Sequence, residues 1–157
     1  MSGIRDRVSI YAVKKALYDH AKTLFETDNP EFEQVWGTAR RKPDKYVEWY
    51  GGDSRQEQGP YGPNRSRNET VRIESMWWVL VRGEVDAARE AEEYLYDRLG
   101  ELEQSVRMER RPLGGVALSC VLTDVIVETA DAQPFVKQAG HVAAAAVVFE
   151  AKIRITG

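Results

Sequence analysis

Residues 70–82, TVRIESMWWVLVR, decide the fold. Strand side chains alternate between two faces, so Val71, Ile73, Ser75, Trp77, Val79 and Val81 share one side. The other side reads Arg72, Glu74, Met76, Trp78, Leu80 and Arg82, charged at both ends and apolar in the middle. An antiparallel strand with one wet face alternates apolar and polar residues cleanly. This one needs cover on both sides over 76–80, and one helix layer covers one side only. The second face therefore requires a partner, with Met76, Trp78 and Leu80 as candidate interface residues. Two readings stand for Trp78: part of a two-sided core, or the anchor of a subunit contact, where tryptophan is enriched.

Upstream of the strand lies GGDSRQEQGPYGPNRSRNE, residues 51–69, with four Gly, two Pro and hardly an apolar side chain. Such a stretch predicts a long polar loop, which in a compact domain is functional or disordered. It is either a surface loop or an arm that orders against a neighbouring subunit. Arg55, Tyr61, Arg65 and Arg67 are the residues such an arm would use. Before it, YVEWY at 46–50 reads as a strand closed by Gly51-Gly52, and the basic turn Arg40-Arg41-Lys42-Pro43 leads in. A short apolar piece at 32–36 ends at Gly37. Ile10, Val13, Leu17, Ala21 and Leu24 recur at helical spacing over residues 8–25, and Thr27-Asp28-Asn29-Pro30 stops that helix.

Downstream, Gly83 breaks the strand and residues 84–108 read as the longest helix. Its expected stripe is Val85, Ala88, Ala91, Leu95, Leu99, Leu102 and Val106, with acids in the first turn and arginines near the end, as the helix dipole favours. Pro112-Leu113-Gly114-Gly115 connects to an alternating run at 116–130, and a turn at 130–134 precedes a last strand over 141–156. The alanines at 143–146 are small enough for close backbone approach, though by propensity they could also start a helix. The order α-β-β-β-α-β-β predicts an α+β single domain over 1–157, a largely antiparallel sheet with two main helices packed on one face.

Composition narrows the function classes. The chain has 157 residues, 22 Lys plus Arg against 25 Asp plus Glu, and a net charge of −3. A nucleic-acid coat needs uncompensated cations, so that class is excluded, and in the loop Asp53, Glu57 and Glu69 cancel the arginines. No apolar run reaches the ~18 residues of a membrane span, and no signal peptide is expected. One cysteine, Cys120, and two histidines, His20 and His141, make neither a disulfide nor a zinc site. There is no nucleophile elbow, HExxH, phosphate loop or CxxC, so no catalytic, cofactor or metal residue is assigned. His20 and His141 read as structural, and Cys120 as a buried inert thiol.

The order of elements, with Tyr46-Val47-Glu48-Trp49-Tyr50, the polar loop, Val71 to Val79 running into the acidic helix, and the Leu113-Gly114-Gly115 linker before two closing strands, resembles the tail terminator (tail completion, minor tail) proteins of long-tailed bacteriophages. The resemblance implies a virion protein made in the host cytoplasm, not an enzyme, that needs no cofactor. It implies a homo-oligomeric ring, usually a hexamer, at the head-proximal end of the tail. There it stops polymerisation of the tail tube protein and docks the head-tail connector or neck protein, while DNA passes through the lumen without specific binding. No membrane is involved. The shared pattern is one of elements, and no residue role carries over from it. A neck or head-completion protein, and a small cellular α+β ligand-binding module or enzyme, are the alternatives.

Overall fold

A computed structural model describes residues 2–57, 67–132 and 139–155. Its elements are helix α1 (Ser2–Glu26), strands β1 (Glu33–Trp36), β2 (Lys45–Glu57) and β3 (Arg67–Arg82), helix α2 (Ala87–Arg107), and strands β4 (Ser119–Asp131) and β5 (Gly140–Ile155). They form the expected α+β fold, a five-stranded sheet in the order β1-β2-β3-β5-β4, antiparallel except for β1 on β2.

The central strand is β3, and its Val71, Ile73, Trp77 and Val79 side is fully buried beneath both helices. α1 brings Val13, Leu17, Ala21 and Phe25 to that side, packing over β1, β2 and β3. α2 brings Ala91, Leu95, Leu99, Leu102 and Val106 over β3, β5 and β4. Each of these larger side chains contributes about 1.5–3 kcal/mol by leaving water. Trp49 and Phe149 meet beneath the helices with ring centroids 6.0 Å apart. The alanine run is strand: Ala145 lies opposite Trp77 and Ala144 opposite Trp78, small residues making room for large ones.

α2 starts later than its apolar pattern implied. Gly83 takes φ 121° and Asp86 φ 60°, turning the chain sharply before the first helical residue, Ala87. Val85 is thus left 84% exposed and Ala88 points outward, so the buried stripe opens at Ala87. Glu84 and Asp86 precede the helix, and Glu90 is the acid of its first turn.

Of the polar stretch 51–69, residues 51–57 and 67–69 are strand, and residues 58–66 lie outside the described residues. β2 continues to Glu57 and β3 begins at Arg67, paired from Gly52↔Ile73 to Glu57↔Asn68, so a two-stranded arm stands where a structureless loop was expected at those positions. Ladder hydrogen bonds, with β5 as a third strand beside 67–72, hold this polar sequence extended where apolar burial does not. Two register irregularities mark a crease at the base of the arm. Between Trp49 and Gly52 β2 holds one residue more than its partner, and between Leu122 and Asp124 β4 does the same. Both irregularities flank the row formed by Ile73 and Phe149. Bulged strands bend and twist more strongly, so two at one level fold the sheet. Gly52 is required there, because a Cβ would collide with the Arg72 carbonyl.

Candidate subunit interface

Opposite residues of paired strands share a face, so the register maps the side of the sheet that the helices leave open. One row runs Val35, Glu48, Met76, Ala146, Ile126, and the next runs Tyr46, Trp78, Ala144, Glu128. Met76 and Trp78 are half-buried here, as the alternation of β3 requires, and Ile126 is 65% exposed. Leu80 differs from them. It is only 5% exposed, enclosed with Val142 and Ala132 in a small second cluster against which Trp78 and Ala144 pack. Arg55, opposite Thr70, is exposed on this same face beyond the crease. Tyr61 and Arg65 lie outside the described residues, and Arg67 is described only as the first residue of β3.

Part of the open face has a cover that sequence reading missed. β1 runs parallel to its neighbour β2, so the chain between them must return across the sheet through residues 37–44. The Ala39 N–H donates to Glu48 Oε2 at 2.6 Å, fastening this crossing down and leaving Glu48 and Tyr46 buried. Tyr50 donates its hydroxyl to Glu48 Oε1 at 2.6 Å. Burial, then the Glu48 carboxylate, push the Tyr50 hydroxyl up to about 12. At the far end of the crossing Asp44 accepts two hydrogen bonds from Arg82 at 3.0 Å, which hold its carboxyl below the usual aspartate range despite partial burial. Tyr46 stacks on Trp78 with centroids 6.3 Å apart, so the crossing braces one side of Trp78. Among the described residues, no helix lies over the stretch from Met76 through Ala144 and Ala146 to Ile126.

A second cluster lies on the helix side. His20 Nε2 sits 2.7 Å from Ser105 Oγ, and His20 Nδ1 lies 3.0 Å from Glu109 Oε1. These residues line a cleft of about 690 Å³ between α1, the end of α2 and the Leu113-Gly114 turn. The constellation has the contacts of a Ser-His-carboxylate relay. Ser105 and Val106 both lie inside α2, however, so their N–H groups serve the helix ladder and cannot face a developing oxyanion. What the cluster does directly is join two helices that otherwise touch little. Cys120 is buried close by, and burial together with the Glu109 charge pushes its thiol up to about 12, which suits an inert thiol.

Among the described residues there is no group of three metal-ligating side chains, and no helix long and apolar enough to cross a membrane. No known protein-family model matches the chain, and no curated protein is similar enough in sequence to count as a relative.

Proposed function

We propose that this chain is a structural subunit of the tail terminator kind. It forms a ring on the head-proximal end of a phage tail tube, halts tube growth and offers a docking surface to the head connector. One observation supports the reading: both helices lie on one side of the sheet, while on the other side Met76 is only half-buried and Ile126 is exposed, beside the 13-residue strand β4, a surface that suits contact with other chains. A net charge of −3 suits a lumen through which DNA slides without sticking.

The test is to mix the protein with a tail tube protein and measure mass by light scattering, then image the tube ends by negative stain. Capped tubes of arrested length support the reading, whereas a strict monomer and uncapped tubes in the mixture overturn it. In the same assay Trp78→Ala is expected to weaken ring formation more than it lowers the melting temperature of the monomer. The His20–Ser105–Glu109 cleft favours a second reading, a small α+β ligand-binding module, which saturable binding of a small molecule in that cleft by a strict monomer would support.

A further inference from the structure

β4 ends the strand order, with β5 as its one neighbour among the described residues. The chain at both its ends bonds back toward β5: the Leu118 N–H donates to the Lys152 carbonyl and the Ala132 N–H to the Gly140 carbonyl. In an antiparallel ladder every second residue turns its N–H and C=O away from the partner, so β4 presents a row of these groups on its outer side.

An open edge is a template for another chain, and proteins guard it by keeping it short, with Lys or Pro, or with a bulge. The β1 edge has four residues. β4 has 13, with no Lys, Arg or Pro. Its irregularity between Leu122 and Asp124 protects the first part only, because pairing with β5 runs unbroken from Asp124↔Val148 to Asp131↔His141.

The side chains of 124–131 say what would fit there. Val125 and Ile126 are exposed, on opposite faces of the strand. Asp124 is engaged by Arg72 at 2.6 Å. Glu128, on the open face, is exposed and has no ionic partner among the described residues. Asp131, on the helix-side face, has an 88% exposed side chain, with His141 Nδ1 3.9 Å away. A second β4 laid here would bring carboxylates near carboxylates, and the β1 edge is short and carries exposed Glu33. Neither edge of a second copy therefore suits this one.

We propose that residues 124–131 take up an extended segment of a different protein as a sixth strand, with Lys or Arg against Glu128 and Asp131 and apolar side chains against Val125 and Ile126. Backbone hydrogen bonds supply affinity in such strand addition, and the alternating side chains supply selectivity. This goes beyond the ring reading and does not depend on it.

The probe is a fluorescein-labelled peptide, KVTKVVVT, whose two lysines fall opposite Asp131 and Glu128 when it lies antiparallel to β4. Fluorescence anisotropy at low ionic strength should show saturable binding, with amide shifts in nitrogen-15 spectra centred on 124–131. Binding should fall by about tenfold or more with E128K/D131K, and in the same direction with the isosteric E128Q/D131N, circular dichroism confirming that each is folded. The reversed peptide EVTEVVVT should prefer E128K/D131K. Of two peptides N-methylated at alternate residues, one on each edge, the one blocked on the facing edge should also lose about tenfold. Absence of saturable binding, equal binding by wild type and both variants, full binding by both methylated peptides, or amide shifts centred on Met76 and Trp78 would each overturn the proposal. So would sedimentation showing that the wild-type chain alone pairs through 124–131.

Discussion

Trp77 and Trp78 are neighbours of identical chemistry with different surroundings. Trp77 is fully buried beneath both helices, touches Phe32 at a centroid distance of 5.5 Å, and donates its indole N–H to Ser75 Oγ at 2.9 Å. Trp78 has Tyr46 on one side and alanine beside it, and keeps part of its surface in contact with water. The difference teaches that a sheet face is defined by what lies over it and not by its own apolarity. The same side chain is fully buried on one side and half-buried on the other.

The sharpest way to break this contrast is to truncate each tryptophan. Trp77→Ala is expected to cost about 3–5 kcal/mol in urea unfolding, as large buried aromatics do. Trp78→Ala should cost clearly less in the monomer, and equal losses would erase the distinction between the faces.

Glu69 probes the covered side in the opposite sense. It lies opposite Gln56 and Ile153 on the helix-facing side of the arm, fully buried, with neither carboxylate oxygen hydrogen-bonded. An unsatisfied buried group of this kind costs about 1–3 kcal/mol, so Glu69→Leu should raise the unfolding midpoint by a corresponding amount. A lowered midpoint would mean that the carboxylate is compensated.

The helix layer itself is tested by Ser105→Ala, which removes the 2.7 Å contact with His20. A loss of about 1 kcal/mol is expected, with hydrogen exchange in α1 rising first. Unchanged exchange would show that the helices are held by the sheet alone.

The smallest effect concerns the cover of the open side. Because Arg82 holds the Asp44 carboxyl below its unfolded range, the stability from this pair is present above about pH 4 and is lost as pH falls through the folded-state value. Asp44→Asn should flatten the acid limb of stability against pH slightly and leave neutral pH nearly unchanged. An acid limb as steep as that of wild type would detach Asp44 from it.

Much of the fold was legible because periodicity reports burial. The alternation over 70–82 and the 3.6-residue recurrence in both helices identify the covered side correctly. Val85 was misread because its spacing suits the stripe, while the turn at Gly83–Asp86 that excludes it depends on backbone angles that no side-chain pattern records. The arm was misread because its strands are held by backbone ladders, which leave no hydrophobic trace. Met76 and Trp78 on the open side were readable from alternation. The enclosure of Leu80 was not, since it needs Val142 and Ala132 from distant parts of the chain. Ser105 and His20 are 85 residues apart, and neither carries a motif. The edge position of β4 depends on strand order, which alternation alone leaves open.

The crease gives the arm a reading frame of its own. Val47 and Trp49 face the helices before the extra residue of β2, whereas Ser54 and Gln56, opposite Val71 and Glu69, take that side after it. Odd residues face inward in one half of the strand and even residues in the other. Deleting a single residue at 50–51 would remove the extra residue and keep Gly52 opposite Ile73, so Ser54 and Gln56 would stay on the helix side and Asp53 and Arg55 on the open side. Residues 45–49 would keep their partners. Deleting both 50 and 51 would instead set Asp53 and Arg55 opposite Ile73 and Val71 on the helix side, so the cost of lost sequence at the crease depends on its parity.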